Sequence, residues 1–178
     1  MPGSVFLDGE DVTLRTIEEE DLDFLQRHIN DPAVRTPIGA TTPVNATDER
    51  EWFESMSEGD DVSLLVCADG DTVGTISLMD INADHGFGEL GYWIAPDAWG
   101  EGYATAATRL LVGHAFDQRR LHKVSAKVFD YNTGSQRVLE KVGFTGEGVD
   151  REEAFVDGEY VDVHRYGLLE DEWRELQA

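Results

Sequence analysis

The spacing of apolar residues switches along the chain between the two-residue period of a strand and the three-to-four-residue period of a helix. Strands are predicted at residues 12–16, 62–68, 72–79, 87–95, 123–129, 144–155 and 160–169. Helices are predicted after Thr16, which would form a capping box with Glu19, and at residues 48–57, 102–118, 133–141 and 170–176. The order β-α-α-β-β-β-α-β-α-β-β, closed by the last short helix, predicts one α/β domain over residues 1–178.

Turn-forming residues support this order. Asp69-Gly70-Asp71 and Asp157-Gly158 each predict a hairpin between two strands, because glycine tolerates the positive φ of a tight turn. Three prolines and a glycine interrupt residues 31–47, which are predicted to form a loop bordering an acceptor pocket. Asn132 is a predicted helix N-cap, and Gly143 is a predicted left-handed C-cap. Hairpin-joined strands predict a mixed, mostly antiparallel sheet flanked by helices rather than a doubly wound parallel fold.

The chain is strongly acidic, with 37 Asp and Glu residues against 14 Lys and Arg residues and a formal net charge of −23. The acids are spread from Asp8 to Glu175 rather than confined to a tail. At about 1 M salt the Debye length falls to roughly 3 Å, which screens their mutual repulsion. We interpret the composition as adaptation to a high-salt cytosol, and the alternative is an ordinary acidic protein. Nucleic acid is not expected as a general partner.

Other composition features exclude several classes of protein. Cys67 is the only cysteine and lies in an apolar run, which predicts a core residue rather than a disulfide or a thiolate zinc cluster. The five histidines lack metal-ligand spacing, and no nucleophile elbow is present, so neither a metal site nor a serine hydrolase is predicted. No signal-peptide pattern and no apolar run of about eighteen residues occur. These features predict a cytoplasmic protein without a membrane partner.

A glycine-rich turn joins the predicted strand 87–95 to the helix that follows. It reads Asp97-Ala98-Trp99-Gly100-Glu101-Gly102-Tyr103-Ala104. Glycines at such a place let backbone N–H groups converge on an anion at a helix N-terminus, which favours a phosphate-bearing ligand. The alternative is a tight corner without a ligand. Thr105 stands where the dinucleotide fingerprint has its third small residue, and no Gly-Lys-Ser/Thr ends a P-loop, so neither nucleotide motif is present.

Two strings in this region and downstream resemble a known family. Residues 89–94, Glu-Leu-Gly-Tyr-Trp-Ile, and residues 99–105, Trp-Gly-Glu-Gly-Tyr-Ala-Thr, resemble the acetyl-CoA motif of the GNAT superfamily of acetyltransferases. Residues 132–144, Asn-x-x-Ser-x-Arg-Val-Leu-Glu-Lys-Val-Gly-Phe, resemble its RimJ/RimL-like branch. The resemblance covers nearly the whole chain and implies the GNAT fold, with acetyl-CoA as cosubstrate and no metal.

The resemblance also implies which residues contact acetyl-CoA. Backbone N–H groups of the glycine turn would hold the pyrophosphate, and the main chain near residues 93–95 would pair with the pantetheine arm and polarise the thioester carbonyl. The implied contacts are Trp93, Ile94, Ala95, Trp99, Gly100, Glu101, Gly102, Tyr103, Ala104, Thr105, Asn132, Ser135 and Arg137. Arg137 and Lys141 would serve the 3′-phosphate, or they form a solvated helix face. Trp99 and Glu101 replace cations common in the family. Repulsion from Glu101 and Asp97 beside the pyrophosphate is expected to weaken binding at low salt.

Catalytic roles follow from the same resemblance. Acetyl transfer needs an uncharged amine, a stabilised oxyanion and a proton for the departing thiolate. Glu89 lies on the strand that borders the thioester and is the candidate base, with a solubility charge as the alternative. Leu139 occupies the position where many relatives carry a tyrosine acid, and Ser135 is the nearest replacement. The alternative for Ser135 is an ordinary first-turn serine.

The sequence therefore predicts an N-acetyltransferase that moves the acetyl group of acetyl-CoA to an amine by direct attack. The first-choice acceptor is a protein N-terminal α-amine of the ribosomal type, which needs less deprotonation than a lysine. A small amine such as an amino acid, a polyamine or an antibiotic is the alternative, and a non-catalytic acyl-CoA-binding module is a third reading. The resemblance is compatible with a homodimer.

Overall fold

The structure is a computed structural model and describes residues 3–178. The strands are β1 (Val5–Asp8), β2 (Thr13–Arg15), β3 (Val62–Ala68), β4 (Asp71–Asn82), β5 (Phe87–Ile94), β6 (Lys123–Phe129), β7 (Thr145–Val156) and β8 (Glu159–Leu169). The helices are α1 (Leu22–Ile29), α2 (Pro32–Arg35), α3 (Ala46–Ser55), α4 (Tyr103–Asp117), α5 (Thr133–Val142) and α6 (Glu170–Gln177).

All eight strands form a single sheet in the order β1-β2-β3-β4-β5-β6-β8-β7. Every neighbouring pair is antiparallel except β5 and β6, which are parallel. The parallel pair needs a long crossover, which α4 supplies. The prediction of a mixed, mostly antiparallel sheet flanked by helices is confirmed.

The two faces of the sheet bury separate apolar clusters. The larger cluster packs the sheet against α4 and α5 and includes Leu90 and Ile94 of β5, with Tyr92 half-buried against it. The smaller cluster packs α1 against β3, and Trp93 contacts it. Side chains of a strand alternate between the faces. Tyr92 therefore lies on the side of α4 and α5, called the α4–α5 face below, and Trp93 lies on the opposite side, the α1–α3 face.

Helix α4 illustrates how the pattern produces the packing. Its buried residues recur at three- and four-residue intervals and form one apolar stripe along the helix. They are Ala107, Thr108, Leu111, Val112, Ala115 and Phe116. Burial of this stripe fixes α4 against the sheet, so the N-terminal end of the helix has a defined position beside the end of β5.

The first helical segment begins later than predicted. Thr16 does not cap it, because its hydroxyl accepts a hydrogen bond from the Ser4 N–H at 3.0 Å. The capping box is formed by Glu18 and Asp21 instead, and the Glu18 N–H donates to the Asp21 carboxylate at 2.8 Å. The sequence could not reveal this, because the competing contact comes from the segment beside β1. That short and mostly exposed strand was itself not predicted.

The segment predicted as a loop at residues 31–47 contains a short helix. Helix α2 begins with Pro32 at its first position, where the missing N–H of proline costs nothing. The Asp31 carboxylate caps it by accepting the Ala33 N–H at 2.9 Å. Helix α3 begins at Ala46, two residues before the predicted start, because Asn45 forms the cap.

The other turn predictions are confirmed. Asp69 with Gly70 and Asp157 with Gly158 have positive φ at two hairpins. Gly143 ends α5 in the left-handed region with φ of +115°. Cys67 is buried. Within residues 3–178, none of the helices combines the length and apolar character needed to span a membrane.

Candidate active site

The parallel strands β5 and β6 separate in the middle of the sheet. Their pairing ends at Leu90 opposite Ala126, whereas β5 continues to Ile94 and β6 to Phe129. The separation leaves a gap that exposes one main-chain edge of β5. Such a gap can receive an extended ligand that hydrogen-bonds like a strand.

Only alternate main-chain groups of β5 face this gap. The Ala95 N–H donates to the Val73 carbonyl oxygen at 2.8 Å, and Trp93 shares this orientation toward β4. The Ile94 groups therefore point into the gap. The sequence predicted that backbone N–H groups of residues 93–95 polarise the thioester carbonyl. Of these groups, only the Ile94 N–H is directed into the gap.

The glycine turn has open space above its backbone. Gly100 and Gly102 both have φ of +82°, and no atom lies within 4 Å of the position that a Cβ would take at either residue. Gly102 caps α4, and its carbonyl accepts the Ala106 N–H at 3.1 Å. The earlier N–H groups of the first turn lack an intrahelical acceptor and can bind an anion. The turn therefore fits a pyrophosphate group.

Trp99 has a structural role at the end of this gap. Its indole N–H donates to the Ile94 carbonyl oxygen at 2.7 Å, while 54% of the residue remains exposed. Asp97 and Glu101 are exposed on the same turn. The turn therefore offers an anion main-chain N–H groups rather than cationic side chains, and binding of the pyrophosphate there stays a prediction.

A pair of hydroxyl groups lies on the α4–α5 face of the gap. The Asn132 side chain accepts the Ser135 N–H at 3.2 Å, which fixes the first turn of α5 and confirms the predicted cap. The Ser135 Oγ lies 2.6 Å from the Tyr92 hydroxyl oxygen. Burial raises the pKa of Tyr92 to about 12, against the opposing effect of the hydrogen bond to Ser135. Tyr92 was not among the site residues predicted from the sequence. Leu139 of α5 is buried close by.

Two cations on α5 are available to an anionic ligand. Arg137 and Lys141 are exposed, and neither side chain has a hydrogen bond or ion pair within residues 3–178. Their spacing of four residues places them on one face of the helix. Binding of a 3′-phosphate by Arg137 stays a prediction.

Glu89 lies on the other side of the gap, in a network of acidic and basic side chains. Its carboxylate is 3.4 Å from the Lys127 Nζ, and its side chain is 25% exposed. Arg165 forms an ion pair with Asp150, and Glu89 is close enough to contribute to the raised pKa of that guanidinium. Glu153 also acts on Arg165 and lines the cavity, so three carboxylates and two cations meet beside the gap. A carboxylate there can accept a proton from an amine.

A cavity of about 790 Å³ connects these groups and extends between α1, α3 and the strands β4 to β8. The predicted residues that line it are Glu89, Trp93, Asn132 and Ser135. The residues of the glycine turn and Arg137 lie outside it. The structure thus brings the two predicted catalytic residues to one cavity from opposite faces of the sheet.

Helix α3 contributes two acids to the far part of this cavity. The Asp48 carboxylate accepts the Asn45 N–H at 2.9 Å. Glu49 is only 7% exposed, and its side chain has no hydrogen bond or ion pair within residues 3–178. Burial raises the pKa of the Glu49 carboxyl. The sequence held a signal for Glu49, since it precedes Trp52 and Phe53 by three and four residues and so occupies an apolar-stripe position.

Two parallel strands separate beside a glycine-capped helix, with an acid on one side of the gap and hydroxyl groups on the other. This arrangement defines an acyl-CoA-dependent acyltransferase. The chain belongs to the GNAT acetyltransferases, because the family model described as acetyltransferase (GNAT) domain matches residues 11–145. It is therefore an acetyl-CoA-dependent N-acetyltransferase, and the reading as a non-catalytic module is set aside. Among residues 3–178, no group of three or more metal-ligating side chains is arranged to hold a metal ion.

The relatives differ in the acceptor that their names give. The putative ribosomal N-acetyltransferase YdaF of Bacillus subtilis is 31% identical over 173 residues, covering 93% of this chain and 94% of the relative. The spermidine N(1)-acetyltransferase of Vibrio cholerae is 28% identical over 165 residues, covering 91% and 95%. A Vibrio cholerae spermidine N-acetyltransferase solved with CoA and spermine has a TM-score of 0.87 at 26% identity, covering 93% and 99%.

Proposed function

We propose that this enzyme acetylates a primary amine of a small polycation of the polyamine type. The observation that carries this proposal is Glu49, a buried and unpaired carboxylate in the wall of the cavity. An unpaired carboxylate in a buried position is unfavourable, and a cationic ligand that reaches it offsets the cost. Trp52 and Ile38 also line the cavity and offer apolar surface to a methylene chain.

The distribution of charge along the cavity supports the same acceptor. Near the gap, the acids Glu89 and Asp150 are paired with Lys127 and Arg165, and Glu153 is the one further acid in this part of the lining. A neutral amine, the form that attacks the thioester, is not disfavoured there. Among the residues that line the cavity, α3 contributes the acids Asp48 and Glu49 and no cation, which suits a second amine that stays protonated while the first one reacts.

The protein N-terminal α-amine predicted from sequence is the second candidate. The similarity to a protein named as a ribosomal N-acetyltransferase favours it. An α-amine has an ordinary pKa of about 7.7 to 8.0 and therefore needs only a weak base. A peptide N-terminus, however, offers no general partner for Glu49, and for this reason the polycation is preferred.

An acceptor screen tests this choice. Release of free CoA thiol from acetyl-CoA would be followed at molar KCl with polyamines, amino acids, aminoglycosides, lysine side-chain peptides and N-terminal peptides. We expect the highest kcat/KM with a polyamine, because buried charge pairs are screened less by salt than exposed ones. A peptide N-terminus or an amino acid that exceeds every polyamine would overturn the assignment.

The roles of individual residues are part of the proposal. Glu89 accepts the amine proton directly or through water, and Ser135 donates a hydrogen bond to the departing sulfur. The main chain of the glycine turn and of Ile94 binds acetyl-CoA, with Asn132 beside the pantetheine arm and Arg137 at the 3′-phosphate. The separation of Glu89 and Ser135 onto opposite faces supports this division, since the amine approaches the reacting carbon from one side and the sulfur departs from another.

The high-salt cytosol is a further proposal, supported by the net charge of −23. Thermal unfolding in buffers from about 0.1 M to 2 M KCl tests it, because screening removes the repulsion between surface acids. We expect the Tm to rise across this range, and a flat or falling Tm would contradict adaptation to salt. Light scattering after size-exclusion chromatography at both salt concentrations tests the homodimer.

A further inference from the structure

We propose that Tyr92 is a positioning residue that directs the Ser135 hydroxyl hydrogen toward the sulfur of CoA. Sequence reasoning found the tyrosine position on α5 occupied by Leu139 and left Ser135 without a partner. The structure supplies a tyrosine from β5 instead of from α5. This inference rests on the proposed role of Ser135 and extends it to the group that orients the serine.

The geometry places the two hydroxyls in direct contact. Their oxygen atoms are 2.6 Å apart, at the short end of the range for O–H···O hydrogen bonds. Both residues line the cavity that contains the gap. The Asn132 side chain accepts a hydrogen bond from the Ser135 N–H and so fixes the backbone of Ser135. The Ser135 hydroxyl can then change its direction only by rotation of side-chain bonds.

Rotation of the Ser135 hydroxyl decides its function. If Ser135 donated its hydrogen to Tyr92, only a lone pair would remain for the sulfur, and a thiolate would be repelled. If Tyr92 donates to the Ser135 Oγ, the serine hydrogen is free to point into the cavity. Donation by Tyr92 also polarises the serine hydroxyl and strengthens the hydrogen bond that it gives.

The acidity of Tyr92 limits its role to positioning. Burial raises its pKa to about 12, well above the roughly 8.5 of a cysteine thiol. Full proton transfer from Tyr92 through Ser135 to a thiolate would therefore be unfavourable. The pair stabilises the thiolate by hydrogen bonding and keeps both of its protons.

The chemical step stays balanced under this assignment. The amine nitrogen forms a bond to the acetyl carbon, and its proton passes to Glu89 or to water. The carbon–sulfur bond breaks, and its electron pair leaves on sulfur. Ser135 stabilises that charge with its hydrogen bond, and the thiolate later takes a proton from water. No step needs a proton from Tyr92.

Titration of the thiol of bound CoA tests the inference without any acceptor. The ultraviolet absorbance of the thiolate would be followed against pH for CoA bound to the wild type, Tyr92→Phe, Ser135→Ala and the double variant. We expect the thiol pKa to rise by about 0.4 to 1 unit in each single variant, the equivalent of one hydrogen bond. The double variant should show no further rise, because Tyr92 acts only through Ser135.

A matched control and the contrary outcomes separate this inference from the proposed function. Tyr166→Phe removes another buried phenol from the same cluster, whose hydroxyl donates to Glu140 instead, and it should leave the bound thiol pKa unchanged. An unchanged pKa in a folded Tyr92→Phe variant, or a further rise on adding it to Ser135→Ala, would overturn the positioning role. If Tyr92→Phe fails to fold, the serine variants provide the test. A bound thiol pKa that rises in Ser135→Ala and returns to the wild-type value in Ser135→Thr supports a hydroxyl donor at this position. A thiol pKa that does not rise in Ser135→Ala overturns the inference. The choice of acceptor does not affect any of these readouts.

Discussion

The two faces of the β5–β6 gap are built from different kinds of groups. On the α4–α5 face, the glycine turn and the edge of β5 present main-chain groups with open space above Gly100 and Gly102. On the α1–α3 face, the part of the cavity beside α3 is formed by side chains, and its acids Asp48 and Glu49 come from a helix distant in sequence from β5. A main-chain site tolerates changes of side chain, whereas a site made of side chains can change its ligand by single substitutions. The contrast explains how relatives of one fold carry names with different acceptors.

The largest expected effect concerns the side-chain site. Glu49→Gln keeps the shape of the side chain and removes its charge, so it should lower kcat/KM for a polyamine by about a hundredfold, as loss of a buried charge partner does. The Kd of acetyl-CoA should not change. The measurement is steady-state kinetics together with calorimetric titration of acetyl-CoA.

Glu51→Gln is the matched control for this variant. Glu51 is exposed on the same helix and lies outside the cavity. It should behave like the wild type in both measurements. A hundredfold loss of kcat/KM in both variants would indicate a diffuse acidic surface. No such loss in either variant would contradict a specific side-chain site at Glu49.

The second prediction concerns the main-chain site. Gly102→Val places a β-branched residue at a φ of +82° and should raise the Kd of acetyl-CoA about thirtyfold, equivalent to roughly 2 kcal/mol of local strain. Isothermal titration with acetyl-CoA measures this directly. Gly146→Val is the control, because its Cβ also meets open space but its backbone does not have positive φ. Equal affinities for the two variants would contradict a site formed by the turn.

The third prediction concerns Glu89 and Ser135, which line the cavity from opposite faces of the sheet. Glu89→Gln and Ser135→Ala should each lower kcat at least tenfold, which corresponds to about 1.4 kcal/mol of barrier. Glu89→Gln should lose less activity as the pH rises, because more of the amine is then neutral without a base. Turnover that stays within twofold of the wild type in both variants would exclude both assigned roles.

The smallest effect is on stability and follows from the buried acid. Burial raises the pKa of the Glu49 carboxyl from its ordinary value of 4.5, so the folded state binds this proton more tightly than the unfolded state. The stability that the proton contributes is therefore lost as the pH rises from 4.5 through the raised pKa. Glu49→Gln removes this cost and should raise the Tm near pH 7 by about 2–4 °C. Thermal unfolding across pH measures it, and a lower Tm at pH 7 would mean that Glu49 is paired in solution.

The contrast between the faces also explains how much the sequence revealed. The glycine turn, the Asn132 cap and the hairpins depend on local chemistry, and each was predicted where the structure has it. The Glu18–Asp21 cap, strand β1 and the Tyr92–Ser135 contact depend on segments that meet only after folding. Tyr92 precedes Ser135 by 43 positions, and no spacing in the sequence reports their hydrogen bond. Glu49 was visible as an acid in an apolar stripe, but its cavity was not.

A competition between acceptors tests the central claim most directly. Spermidine and an N-terminal peptide would be mixed in equal amounts with limiting acetyl-CoA, and the acetylated products would be counted by mass spectrometry for the wild type and Glu49→Gln. The account predicts that the wild type acetylates mainly spermidine and that Glu49→Gln loses most of this preference. A wild type that acetylates mainly the peptide, or a preference that Glu49→Gln leaves intact, would contradict it.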